Sequence, residues 1–310
     1  MKKSIKLLLV LALVFFAADR LICLCLKKMD KKVYTGQSVG KVNHFFSLKD
    51  SVDLLVFGSS RANHHIDNES LNISSFNIGV DGTKIGYSAA LISTLKKKDQ
   101  ILLVHIDHAS LYDSEYNGSD MMGLINMIQR SDDVSAFIYN FFPNEIYISR
   151  IFNSYIYNSK VLGILKNSLA PSYDYSEYCG YDPLYPNQEQ REIFEKMLKS
   201  DSLKLEQDKL MVNEVKINPL INKFIDLIID YSGNNNSRLI FFTSPTLKRN
   251  HFNVQSITKQ YFASKNTSYY DYSDFFKKYN VDYWKDFTHM SADGATAFTK
   301  AFKEEILQAN

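Results

Sequence analysis

Cysteine is scarce in this chain of 310 residues, which holds three: Cys23, Cys25 and Cys179. Two of them lie in the amino-terminal apolar stretch. Thiols so placed make no disulfide framework, no CxxC redox pair and no zinc ribbon. A surplus of charge is missing too. Lysine and arginine number 36 against 34 acidic residues, a net charge of +2. No nucleic-acid partner is therefore expected, since such proteins as a rule carry a basic face. There is no internal repeat and no low-complexity tract. Hydrophobic residues at 45% and charged residues at 23% exclude a disordered chain, a collagen-like chain and a coiled-coil rod. Aromatic residues reach 14%, which suits either a large core or a carbohydrate-binding face.

The amino terminus carries the first positive signal. Lys2, Lys3 and Lys6 precede an apolar run, Leu7 to Ala18, which Asp19 and Arg20 interrupt and Leu21 to Leu26 resumes. From Leu7 to Leu26 is about 30 Å of helix, one hydrocarbon thickness. The Asp19-Arg20 pair opposes insertion, because a charge near mid-membrane costs roughly 2.5–3.5 kcal/mol. Snorkelling or mutual pairing lowers that cost. A cleaved signal peptide is the rival reading, but cleavage wants small residues at −1 and −3. Ala18 at −1 leaves Phe16 at −3, and Ala17 leaves Phe15. The expectation is an uncleaved anchor over residues 1–32 with its juxtamembrane segment. Lysines flank both ends, so charge does not orient it; the domain is expected outside the cytoplasm, as for most signal anchors.

Residues 33–310 read as alternating strands and helices. Val52–Phe57, Phe76–Val80, Ile101–Ile106, Leu239–Thr243 and a weaker Ser268–Tyr272 are short apolar runs typical of buried parallel strands. Tyr87–Leu95 and Pro219–Tyr231 have helical spacing, and Ala292–Leu307 reads as a closing helix with Ser291 as N-cap. The fold expected is α/β: a three-layer, flavodoxin-like sandwich with a mostly parallel five-stranded sheet. Between the third and fourth strands lie about 130 residues, too many for one crossover. They read as a helical insertion over about 110–215, with helices at Ala136–Phe142, Tyr147–Leu169 and Glu189–Lys209 and a loop at Ala170–Asn187. Its many tyrosines, Tyr147, Tyr155, Tyr157, Tyr181 and Tyr185 among them, suit either sugar stacking or packing between helices.

Four motifs compete for the chemistry. Gly36-Gln37-Ser38-Val39-Gly40 matches the G-x-S-x-G nucleophile elbow, but only the anchor precedes it and Lys41–Phe46 shows no obvious helical pattern. His105-Ile106-Asp107-His108 is half of a dinuclear metal-hydrolase signature, with Leu103 where the leading His belongs and only His251 and His289 downstream. Gly58-Ser59-Ser60-Arg61 follows the first strand. A Ser there, entering a helix, has an exposed hydroxyl beside backbone N–H groups, although Ser is also a common helix cap. Asp286-Phe287-Thr288-His289 precedes the last helix. Asp and His three apart can hydrogen-bond, which fixes the imidazole tautomer and frees the other nitrogen as a base; a polar surface turn looks the same. Gly79–Lys84 has no Walker spacing, so no nucleotide site is expected.

Taken together, Gly58-Ser59-Ser60, Asn77-Ile78-Gly79-Val80-Asp81-Gly82 and Asp286–His289 resemble the SGNH (GDSL-like) hydrolase superfamily. The resemblance covers about 51–108 and 237–308 and leaves the insertion unmatched. It implies Ser60 as nucleophile, His289 as general base, Asp286 as its orienting carboxylate, and the N–H groups of Ser60 and Gly82 as an oxyanion hole. It requires neither metal nor cofactor. Ser59 replaces the family's non-catalytic Asp. Where the family's third block supplies an Asn to the hole, this chain has Asp107, so Asp107, Arg61 and Asn63 are the residues expected near the oxyanion. The chain also looks like the membrane-anchored members with Gly-Ser-Ser-Arg and a helical insertion. Those are linked to O-acylation or deacylation of exported polysaccharides. The implied substrate is an acylated glycan, with an integral-membrane acyltransferase as the implied partner. The alternative is an SGNH-like module that binds polysaccharide without turnover.

Overall fold

The computed structural model describes residues 2–204, 216–247, 254–276 and 280–308. His251 and the end of the helical stretch expected over 189–209 lie outside the described residues. In chain order the main elements are α1 (Lys2–Asp30), α2 (Lys41–Leu48), β1 (Leu54–Phe57), α3 (Ser60–His65), α4 (Asn68–Leu71), β2 (Ser75–Asn77), α5 (Ile85–Ile92), β3 (Ile101–His105) and α6 (His108–Leu111). Then follow α7 (Asp132–Phe141), α8 (Pro143–Ile151), α9 (Val161–Leu169), α10 (Gln188–Lys204), α11 (Pro219–Asn234), β4 (Arg238–Thr243), α12 (Val254–Ser264), β5 (Ser268–Asp271) and α13 (Ala292–Gln308). They divide into two compact units: Met1–Ser47 with Met121–Glu177, and Leu48–Asp120 with Tyr178–Asn310.

The first unit is helical. Its α1 is the one helix among the described residues long and apolar enough to cross a membrane. Asp19, Cys23, Leu26 and Asp30, a buried stripe at helical spacing, face the rest of the unit. Cys23 and Leu26 pack with Val39, Ile156, Tyr157 and Ile164. The charged pair within the apolar run is fully partnered. Asp19 meets Arg20 at 2.6 Å and accepts the N–H groups of Asn153 and Ser154, while Arg20 donates to the carbonyl of Ile151. Asp30, also buried, accepts from Asn43, Asn126 and Arg130. The helix expected over Tyr147–Leu169 is in fact three pieces: α8, a 3-10 turn at Asn153–Tyr157, and α9. Asp19 takes the N–H groups that start the turn, and Ser159 in a left-handed conformation (φ 66°) ends it. Lys41–Phe46, where no helical pattern is evident, lies in α2. That helix buries consecutive residues from Lys41 to Phe45, so it lacks the one-sided pattern that marks a surface helix.

The second unit is an α/β sandwich. Its five strands are all parallel, in the order β2-β1-β3-β4-β5. This is the doubly wound, flavodoxin-like order, whose topological switch point lies between β1 and β3. Strands such as Leu54–Phe57 are buried at every residue because helices cover both faces. Leu54 and Val56 pack into a core with Ala62, Leu71, Phe298 and Phe302, from α3, α4 and α13. Leu55 and Phe57 point to the other face, the side where α11 packs on α5 and β4. Ser291 caps α13 as the sequence suggests, its hydroxyl accepting the N–H of Gly294.

One buried side chain holds the carboxyl ends of β1 and β2 in register with α3. Asn77 donates to the carbonyls of Ala62 (2.8 Å) and Ile66 (3.2 Å) and accepts the N–H of Gly79 (2.9 Å). Glycine is required at 79, since a Cβ there would lie 2.6 Å from the backbone nitrogen of Asn63. Replacing Asn77→Ala strands these buried backbone groups and is expected to destabilise the fold by about 2–3 kcal/mol. In thermal unfolding of detergent-solubilised full-length protein, this should lower Tm by roughly 5–10 °C.

Candidate active site

β1 ends at Phe57, and Gly58 turns the chain with φ +144°. A side chain at 58 would strike the Cβ atoms of Ala62 and His105 at 2.8 Å, so only glycine lets α3 start this close to β3. Ser60 is the first residue of α3 and is partly exposed. At the far end of the chain, the turn before α13 is closed by Lys285 N–H on the His289 carbonyl (2.9 Å) and by a bridge between Trp284 and Met290.

This turn brings His289 Nε2 to 2.8 Å from Ser60 Oγ. His289 Nδ1 lies 2.9 Å from Asp286 Oδ2. The other carboxylate oxygen, Oδ1, accepts the N–H groups of Thr288 (2.8 Å) and His289 (2.9 Å) and the Thr288 hydroxyl (3.0 Å). Burial works against the Asp286 charge, but the His289 hydrogen bond and these backbone donors outweigh it and hold its carboxyl well below the usual carboxylate range. An ionised Asp286 only accepts. The His289 proton therefore sits on Nδ1, and Nε2 presents its lone pair to the Ser60 hydroxyl. A hydroxyl, an imidazole and a carboxylate thus stand in one hydrogen-bonded line.

Buried polar groups position that line from behind. Met290 N–H donates to His65 Nε2 (3.0 Å), so the neutral His65 ring carries its proton on Nδ1, which faces Ser244 Oγ at 2.8 Å. Ser244 Oγ in turn lies 3.1 Å from His105 Nε2. Burial, reinforced by the nearby Arg61 guanidinium, pushes the pKa of both imidazoles well down. The relay is therefore neutral: His65 Nδ1–H to Ser244, and Ser244 O–H to His105. Its outer end grips the backbone beside His289. Ser244, His65 and His105 are absent from the motifs that the sequence singles out for serine chemistry. Their signal is the dense polar run Arg61 to His65 directly after a buried strand, and their pairing is non-local.

The residues expected near an oxyanion divide into two groups. Arg61 and Asp107 pair with each other, Nη1 to Oδ2 at 3.1 Å. Arg61 is buried and also donates to the carbonyls of Ser244 and Pro245, while Asp107 caps α6 through the N–H of Ala109. Burial opposes the Asp107 charge, but Arg61 and the cap keep its carboxyl below the usual range, so it stands ionised against its own counter-ion. Asn63 and Gly82 belong to the other group. Asn63 donates to Asp81 (2.9 Å), the residue before Gly82, which is left-handed (φ +75°) with open space where a Cβ would be. The loop is tied to β1 by Val80 N–H on the Gly58 carbonyl at 3.1 Å.

The remaining two motifs are differently placed. Gly36–Gly40 forms a π-helical turn leading into α2, without the preceding strand that an elbow needs. His105 bonds Ser244, whereas His108 faces Thr258 and Asp271. Among the described residues no three His, Cys, Asp or Glu side chains converge as a metal site.

His64 adds a charge beside the line. Its ring centroid is 5.7 Å from that of His289. Nδ1 faces the Asp182 carbonyl (2.6 Å) and Nε2 the Asp81 carboxylate (3.2 Å), both acceptors. Only the doubly protonated ring satisfies both. Burial disfavours that charge, yet the Asp81 and Asp182 hydrogen bonds prevail and raise the pKa above the ordinary 6.5. A raised folded-state value means this pair stabilises the fold fully at pH below the unfolded pKa, and the contribution is lost as pH rises through the folded value. Histidine NMR titration should find His64 titrating above 6.5, and Asp81→Asn should move it down. A His64 midpoint unchanged in Asp81→Asn would refute the pairing. No family model matches the chain, and no curated protein matches it, so the functional reading rests on this geometry.

Proposed function

We propose that the chain is a membrane-anchored serine esterase or O-acyltransferase of the SGNH type, acting on acyl groups, acetyl foremost, of a glycan outside the cytoplasm. The observation that carries this reading is the continuous line Ser60 Oγ, His289 Nε2, His289 Nδ1, Asp286. Its order along the chain, Ser first and Asp-x-x-His last, is that of the family it resembles.

The chemistry follows from these groups. His289 Nε2 takes the proton of Ser60 as Oγ bonds to an ester carbonyl carbon. The carbonyl oxygen gains the charge. In this reading the N–H groups of Ser60 and Gly82 receive it, each such donor contributing on the order of 10²–10³ in rate. The imidazolium, steadied by Asp286, then protonates the leaving alkoxide as the C–O bond breaks and an acyl-Ser60 remains. Water or a sugar hydroxyl, deprotonated by the same Nε2, attacks the acyl carbon and restores Ser60. Water makes the protein an esterase, and a sugar hydroxyl makes it a transferase. The Arg61–Asp107 pair fits this scheme, because an Asp at the place of the family's Asn would otherwise set a bare negative charge near the developing oxyanion. In the proposed topology α1 anchors the chain with its α/β unit outside, and an integral-membrane acyltransferase supplies the acyl group in the transferase case.

The test is turnover of p-nitrophenyl acetate by full-length protein, with and without acetyl-accepting oligosaccharide. The wild type should release p-nitrophenol with an initial burst, Ser60→Ala should show none, and Asp286→Asn should be slower by about 10⁴-fold. Folded wild-type protein that turns over no ester and acetylates no acceptor would remove the enzymatic reading.

A further inference from the structure

The Asp19–Arg20 pair indicates how deep part of the first unit sits. If α1 is the membrane anchor, on which reading this inference rests, its apolar band has two candidate lengths. Ending at Ala18, it runs from Leu7 for about 18 Å, well short of the ~30 Å hydrocarbon core. Ending at Leu26, it runs for about 30 Å and fits. The exposed side of α1 favours the longer band. Past Arg20 the buried stripe continues inward, but the outward residues Leu21, Ile22 and Leu24 are still apolar and more than half exposed (64%, 52% and 57%). A helix in water would carry polar residues there. Polar side chains resume with Lys27 and Lys28, followed by Lys31 and Lys32, cations suited to the headgroup level.

Residues 19 and 20 then lie about 9 Å inside that boundary. A charged pair at this depth needs protein partners, and it has them: the N–H groups of Asn153 and Ser154 and the carbonyls of Arg150 and Ile151. The segment that supplies them lies at the same depth. Its outward face is largely apolar, with the exposed Arg150 laid over the Tyr147 ring and Asn144 at the start of the helix. Tyr147, Ile148, Ile151 and Phe152, on α8 and just past its end, are exposed, with Ile151 and Phe152 at 59% and 56%. Ile146 and Ser149 of the same helix are the ones buried.

We infer that α8 and the turn after it are immersed in the lipid leaflet beside α1, so that the protein holds the membrane through a spanning helix and an interfacial helix together. The partner is the acyl-chain region of the bilayer, entered to the 5–10 Å typical of interfacial helices. Arg20, through the carbonyls of Arg150 and Ile151, and Asp19, through the N–H groups of Asn153 and Ser154, fasten the end of α8 and the turn after it to the anchor. The same contacts explain how a charged pair persists inside an otherwise apolar span.

The chain's one native tryptophan, Trp284, is buried in the α/β unit and gives a constant background. Full-length protein carrying Phe152→Trp, Ile148→Trp or, as a probe of the anchor, Leu13→Trp would be reconstituted into phosphatidylcholine vesicles with and without brominated acyl chains. Both α8 reporters should emit blue-shifted light and lose most of that emission to bromines placed near the carbonyl end of the chains. Quenching of Leu13→Trp alone, with the α8 reporters emitting as in water, would overturn the immersion of α8 while leaving the anchor intact. Absence of quenching at Leu13→Trp as well would overturn the anchor and, with it, this inference.

Discussion

A 2.8 Å hydrogen bond joins Ser60 to His289 across 229 positions of sequence. Nothing local holds it. It exists because β1 and the closing turn before α13 end at the same edge of one parallel sheet, where α3 and α13 pack on the same face. Ser60 is placed from one side by the Gly58 turn and by Asn77, which fastens α3 to the end of β2. His289 is placed from the other by Asp286 and by His65, which holds the next backbone N–H. Most of these constraints are buried or backbone-mediated, so the fold itself holds Ser60 against His289, the preorganisation on which the proposed chemistry relies.

The electrostatics around this bond are sorted by burial. His65 and His105 are sealed in and neutral, and transmit only hydrogen-bond direction through Ser244. Arg61 and Asp107 cancel each other. His64, with an acceptor at each nitrogen, holds a positive charge whose ring faces His289 edge-on. The neighbouring histidines thus differ in what holds them: His65 and His105 are kept neutral by burial behind the site, His64 is drawn toward its charged form by two acceptors beside it, and His289 is oriented by Asp286 with Nε2 toward a hydroxyl.

Much of the fold is legible in the sequence because its signals are local. The central strands β1 and β3 are short apolar runs buried on both faces, and α11 and α13 show helical spacing, α13 with Ser291 as its cap. The parallel order of the strands follows from the helices between them. Features that depend on distant partners are not legible. The break between α8 and α9 is set by Asp19, more than a hundred residues upstream, and α2 lacks a pattern because both its faces are covered. At the site, Ser60 and the Asp286–His289 pair stand out individually, but each also fits a helix cap or a polar turn; only the resemblance groups them. The His65–Ser244–His105 relay links residues 179 and 139 positions apart, which no periodicity reveals. Asp107 reads in sequence as a liability for an oxyanion, and the charge that answers it, Arg61, becomes visible as its partner only in three dimensions.

The most direct test of an activated Ser60 needs no knowledge of the acyl group or the sugar. Full-length protein would be treated with a serine-directed fluorophosphonate and analysed by intact mass and peptide mapping, beside His289→Ala. One phosphonyl adduct on Ser60 that disappears in His289→Ala is the predicted result. Folded wild-type protein left unlabelled, or labelled equally in His289→Ala, would contradict the account that His289 activates Ser60.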